Sequence, residues 1–279
     1  PLLAAISAQV RKTMGDFEPR DLAGTAWAFA ALAERDKQLL DAMSATSLSR
    51  LSEFAPQNLA MTVWSCATLD LDDPPLLAAI AAEAIRRMRE LEPQHLSVIA
   101  WSYALLGRLN RPLFAVIAGQ AMRTISELTA VDVVSTAWAF ARLEVRHWPL
   151  LHAFAAAALP GGGSLASPQV ANLAWSYARL GCRHRPLLEA LAAPARRSLS
   201  ETSAQAIAKT AWAIDNWRMP DIHRDFLGPA VAAFLAAFAA DVEEEDGGLS
   251  MIDLANSVCQ AASASGAWAL RARARAGVQ

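Results

Sequence analysis

The chain has 279 residues, of which 54% are hydrophobic and 19% charged, with a formal net charge of −2. That balance argues against a protein that holds nucleic acid by bulk positive charge. Every apolar run is cut within about 14 residues by charge, proline or a polar face, against roughly 20 needed to cross a bilayer; Val231 to Ala240 is the most hydrophobic and is too short.

From the first residue onward the chain repeats. Trp27, Trp64, Trp101, Trp138, Trp175 and Trp212 are spaced by 37 residues through five intervals. Pro1, Pro75, Pro112, Pro149 and Pro186 keep the same step, with Gln38 at the one vacant place, and apolar pairs such as Leu76-Leu77 follow them. Two markers in one period predict a solenoid whose units pack only on their neighbours. The expected fold class is all-α: an α-solenoid of 37-residue helix-turn-helix repeats, six regular units over 1–220 and a degenerate seventh over 221–279. No strand pattern occurs. The chain opens at Pro1 without a methionine, at the start of a repeat, and is read as a piece of something longer or a processed form.

The fifth unit shows how each hairpin is specified. Pro149 opens helix A, where its missing N–H costs nothing. The helix continues through Leu150, Leu151, Phe154 and Ala158 and stops at Pro160 and Gly161-Gly162-Gly163. Ser167-Pro168 starts helix B, with the serine as expected N-cap, and Gly181 ends it.

Helix B carries the informative pattern. At 100° per residue the columns of Leu22, Ala23, Ala26, Trp27, Phe29 and Ala30 cover about half the circumference. This predicts a helix sandwiched between its neighbours, with the tryptophans as core wedges rather than base-stacking platforms. Cys66 and Cys259 fall in columns that elsewhere hold aromatics and are read as core. With Cys182 they form no CxxC pair, so neither a disulfide framework nor a zinc site is expected.

The remaining arc varies between copies. Its first column reads Asp21, Asn58, His95, Asp132, Gln169, Ala206, and its second Gly24, Met61, Val98, Ser135, Asn172, Lys209. The third is always small: Ala28, Ser65, Ser102, Ala139, Ser176, Ala213. The last reads Ala31, Thr68, Leu105, Arg142, Arg179, Asn216. Hydrogen-bonding side chains around a small residue suit a flat ligand, and repeat modules that read one base per unit use two or three such side chains. The expected RNA contacts are Asn58, His95, Asp132, Ser135, Arg142, Arg146, Gln169, Asn172, Arg179, Arg183, Lys209 and Asn216. The alternative is a solvent-facing stripe free to drift.

Segments such as Gln169-Val170-Ala171-Asn172-Leu173-Ala174-Trp175-Ser176-Tyr177-Ala178-Arg179-Leu180-Gly181 resemble the helix B signature of octotricopeptide repeats, the 37-residue step being closer to the heptatricopeptide variant and FASTK-related repeats more distant. The resemblance spans about 1–220. It implies an organellar protein, of mitochondrion or chloroplast, that binds single-stranded RNA or ribosomal RNA in transcript stability, processing, translation or ribosome assembly. It departs from the pattern in lacking the length and strands for a RAP domain after 220. The alternative is a scaffold subunit of an organellar ribosome or bioenergetic complex, docking other proteins.

The seventh unit is altered. Asp253 to Cys259 matches Asp21 to Trp27, but Cys259 lies 47 residues after Trp212, ten more than the period. The insertion includes the acidic Asp241 to Gly248, read as a solvated loop, and the unit is read as a terminal cap with a short basic tail, Arg271, Arg273 and Arg275.

Basic residues recur late in helix A: Lys12, Arg50, Arg86, Arg87, Arg123, Arg196 and Arg197. Cations gain about 0.3–1 kcal/mol at helix C-termini, which accounts for that stripe. A denser cluster, Arg142, Arg146, His147, Arg179, Arg183, His184 and Arg185, suits a phosphate backbone better. His147 and His184 share a column one repeat apart, too far to share a metal. The triple glycine lacks the strand and the Gly-Lys-Ser/Thr ending of a phosphate loop. No metal, cofactor or enzymatic activity is expected.

Overall fold

The computed structural model describes residues 2–158, 165–197 and 204–217. The expected degenerate unit over 221–279, with its acidic loop and basic tail, therefore lies outside the described residues, as does the triple glycine. Those described form twelve helices and no strand: α1 (Leu2–Thr13), α2 (Pro19–Ala31), α3 (Lys37–Ser49), α4 (Pro56–Thr68), α5 (Pro74–Arg86), α6 (Pro93–Leu105), α7 (Arg111–Arg123), α8 (Ala130–Arg142), α9 (Trp148–Ala158), α10 (Ser167–Leu180), α11 (Arg185–Arg197) and α12 (Ala204–Trp217). Odd-numbered helices are the A helices and even-numbered ones the B helices. The B helices begin at 19, 56, 93, 130, 167 and 204, so the 37-residue step of the tryptophans is carried into the backbone. None of the described helices is long and apolar enough to cross a membrane.

The chain divides into two compact units at Val145/Arg146. In the first, α2, α4, α6 and α8 pack successively into one layer and α1, α3, α5 and α7 into another. In the second, α10 packs on α12 and α9 on α11. The arrangement is the expected α-solenoid packing of adjacent helical pairs.

Each B helix ends the same way. The residues at Ala33, Asp70, Gly107, Glu144 and Gly181 all have positive φ, from 53° to 72°. The following N–H donates to the carbonyl five residues back, as in Leu71 to Cys66 and Cys182 to Tyr177, both 2.8 Å. This is the Schellman closure, which satisfies otherwise orphaned helix-end carbonyls. A helices are capped by a side chain just before them: Asp36, Asp73 and Asn110 accept from the N–H three residues on, each at 3.0 Å. His147 and His184 do the same through Nδ1, at 3.2 and 3.3 Å. The two histidines are thus caps. At α10 the N-cap is Ala166, not the expected Ser167, which is the first helical residue.

Consecutive repeats are also tied by side chains at the 37-residue step. Ser7 donates to Asp36, and Ser44 to Asp73. Arg50 donates to the Phe17 carbonyl and Arg87 to the Phe54 carbonyl, while each pairs with its own Glu53 or Glu90. These two arginines hold neighbouring hairpins together, which is more than complementing a helix dipole.

The core is mainly aliphatic, with Phe54, Phe114 and Phe154 fully buried in it and an aromatic column along the B helices. Phe29, Tyr103, Phe140 and Tyr177 are at most 4% exposed, and the hydroxyls of Tyr103 and Tyr177 donate to the carbonyls of Leu77 and Leu151. Cys66 stands in that column, buried as expected, and its burial pushes the thiol up to about 12. Cys182 is buried too. The tryptophans are not the core wedges expected. Trp175 is 9% exposed, but Trp27 is 48% exposed, and Trp64, Trp101, Trp138 and Trp212 are only half-buried. Two residues farther along, a side chain points to nearly the opposite side of the helix, and that is the column that fills the core.

Candidate nucleic-acid interface

The tryptophan column borders the variable arc. On a helix, Trp27 lies about 60° from Gly24 and about 40° from Ala31, so each tryptophan shares a face with the second and last arc columns. In the first unit the rings pair between neighbouring B helices: Trp27 with Trp64 at 6.5 Å between centroids, and Trp101 with Trp138 at 6.4 Å, tilted by 31° and 33°. Trp138 is followed four residues later by Arg142, which is exposed and, among the described residues, has no ion pair. Residues so spaced are neighbours on the helix surface.

The first arc column has a different use. Asp21 accepts from the Glu18 N–H at 3.1 Å, His95 from Glu92 at 3.2 Å, Asp132 from Thr129 at 3.0 Å and Gln169 from Ala166 at 2.9 Å. All sit at the third helical position and reach back to close the helix start. Asp132 goes further. It is 5% exposed and also accepts from the Thr129 hydroxyl at 2.6 Å and from Ser97 on α6 at 2.7 Å. Of the expected base-reading groups, His95 Nδ1 and Gln169 Oε1 are thus engaged at their own helix starts, and the Asp132 carboxylate both there and across to α6. Asn58 holds the same position and is half-buried, with its carbonyl accepting from Thr62. A capping-box spacing was visible at Thr129 to Asp132 and could have identified the role.

The small column is polar only in name. Ser65, Ser102 and Ser176 are buried and donate to the carbonyls of Met61, Val98 and Asn172, so their hydroxyls are spent inside the helix. Ser135 is half-buried in the second column.

In the second unit, Lys209 donates to Asn172 Oδ1 at 3.2 Å, and burial lowers its pKa. Asn216 donates to the Ala178 carbonyl at 2.9 Å, so both residues tie α12 to α10. Arg146, Arg179 and Arg183 are exposed. Trp175 and Arg179 repeat the four-residue spacing of Trp138 and Arg142. No cluster of three or more candidate metal ligands occurs among the described residues.

A family model described as RNA-editing substrate-binding complex 6 protein matches residues 2–161, more than half of the chain. The chain belongs to that family. The match covers α1 to α9, and with them the paired tryptophans, Arg142 and Arg146. The match supports a helical, RNA-associated repeat family; it does not reach the octotricopeptide, heptatricopeptide or FASTK-related resemblance of helix B. No curated protein matches the chain.

Proposed function

We propose that this chain binds single-stranded RNA across the exposed face of its B helices, as a component of an RNA-editing type of assembly that also gives it protein neighbours. The observation that carries the reading is the face of the first unit, where partly buried tryptophans pair across repeats and the last of them, Trp138, lies beside Arg142. Aromatic rings beside basic groups are the general platform for single strands: bases stack, worth about 1–3 kcal/mol each, while arginine meets phosphate. In the second unit Arg146, Arg179 and Arg183 supply the cations and Asn172 a polar neighbour. Because the first column caps helices, recognition leans on stacking and phosphate more than on a base-by-base code. In this reading the chain works in the mitochondrion, which is consistent with an RNA-editing family.

One observation favours protein docking by the same scaffold: Val131 is 56% and Leu105 37% exposed on these B helices. Fluorescence anisotropy with a single-stranded RNA separates the two. Trp64→Ala should weaken binding by about 1–3 kcal/mol. Arg142, Arg179 and Arg183 replaced together by alanine should flatten the log–log salt dependence by about two, at ~0.7 per phosphate. Lys12→Ala should do neither. Equal losses from all three, or no RNA binding by the parent chain, would leave docking as the better reading.

A further inference from the structure

The A-helix layer of the first unit holds a groove that the B-face reading does not use. It lies between the end of α5 with its following 3-10 turn (Met88–Glu90) and the outer side of α7, and its volume is about 540 Å³. That is within the range of about 300–1,000 Å³ typical of small-ligand sites. Arg86, Arg87, Arg89, Gly119, Gln120 and Arg123 line it, with Glu90 at its edge.

Two features set this groove apart from an ordinary charged surface. Gln120 is 5% exposed, and its Oε1 is buried without a hydrogen-bond partner. A buried acceptor left unmade is costly, so such an atom calls for a donor. The second feature follows from the repeat. One period earlier, the positions of Gln120 and Arg123 hold Glu83 and Arg86, which form an ion pair. In α7 the acid has become an amide, and Arg123 is exposed with no ion pair among the described residues. Arg89 on the 3-10 turn is likewise exposed and unpaired among them. Arg86 and Arg87, by contrast, are occupied by Glu83 and Glu90.

We infer that this groove is a second RNA contact, seating one nucleotide with its phosphate on Arg89 and Arg123 and its base edge on the Gln120 amide. The ligand must bring an anion and an N–H donor within one small volume, and a nucleotide carries both. Arginine suits it further, because the guanidinium fork matches phosphate geometry and stacks on flat rings. Paired acceptor and donor atoms of a glutamine amide read a base edge bidentately. The inference rests on the reading that this chain binds RNA, but not on where the B helices bind it.

The test uses the full chain and a mixed-sequence single-stranded RNA of about 12 nucleotides, within the range such surfaces cover. A Cβ at Gly119 would meet nothing within 4 Å, so Gly119→Leu fills the groove without crowding the helix and should weaken binding by about fivefold or more. Arg89→Ala with Arg123→Ala should lower the salt slope by about 1.4, two contacts at ~0.7. Gln120→Met should weaken RNA binding while leaving the urea midpoint unchanged or raised, since it removes the orphaned acceptor; a merely structural glutamine would lower the midpoint instead. Full affinity in Gly119→Leu, with unchanged circular dichroism, overturns the inference. So does a polyglutamate peptide that displaces the RNA from the parent chain but not from Gly119→Leu, because the groove then takes acidic peptide. If Trp64→Ala and Arg142→Ala bind normally while the groove variants fail, the B-face reading falls and the groove stands. The reverse pattern overturns the groove alone, and no binding by the parent overturns both.

Discussion

Replacing Asp132 by alanine separates a capping residue from an RNA-reading one. Its carboxylate closes the start of α8 by accepting from the Thr129 N–H and hydroxyl, and it accepts from Ser97 across to α6. Thr129 is exposed, so its groups can turn to water, and the loss there is that of an N-terminal cap, about 1 kcal/mol. Ser97 is 4% exposed, and its single hydroxyl hydrogen can turn from Asp132 to the Gln94 carbonyl, so it is not orphaned. The exchange of a charged acceptor for a neutral one costs about 1 kcal/mol. The sum is about 2 kcal/mol for Asp132→Ala, and roughly half of that for Asp132→Asn, which keeps one acceptor oxygen in place. Urea unfolding followed by circular dichroism measures this as a shifted midpoint at constant slope. RNA affinity, measured on the folded variant, should stay within about twofold, since a group 5% exposed has no face to offer a ligand. A destabilisation under about 0.5 kcal/mol, the size of a surface change, joined to a tenfold loss of RNA affinity would refute the reasoning.

Other outcomes follow from the helix ends and from the half-buried Lys209. At Gly181 an added Cβ would meet nothing within 4 Å, so Gly181→Ala tests the left-handed backbone alone and should cost about 1–2 kcal/mol. Ala33→Gly, at φ 53°, should change stability in the other direction by roughly 0.5 kcal/mol, the strain relieved less glycine's greater chain entropy. Thermal or urea midpoints decide both, and a stabilised Gly181→Ala would show that the closure is not held as described. Burial lowers the Lys209 pKa below its ordinary 10.5, so the unfolded chain binds more protons between the lowered value and 10.5. Stability should therefore gain from this group as pH rises through that window. Lys209→Met should be as stable as the parent or more so at neutral pH, and should lose that part of the rise; an unchanged pH profile would count against the burial argument.

The period of 37 residues, the helical class and the hairpin boundaries were legible in the sequence by itself. They rest on local chemistry: proline at a helix start, a turn residue after its end, and apolar spacing along the helix. Each acts within a few residues and repeats six times, so its meaning accumulates. Even the closure at positions 33, 70, 107, 144 and 181 is local, although only two of the five are glycine. What tertiary structure alone decided is which polar side chains remain available. Asp132 and Ser135 look equivalent as polar arc residues, yet one is buried in a cap between helices and the other is only half-buried. The same holds for tryptophan. Its size argued for the core, but the stacking of B helix on B helix fills the core from the column two residues farther on and leaves the indoles paired at the edge. Periodicity gives a side chain its angle on one helix. Exposure depends on how closely the next helix packs against that angle, and that distance is a property of two repeats together, not of either one.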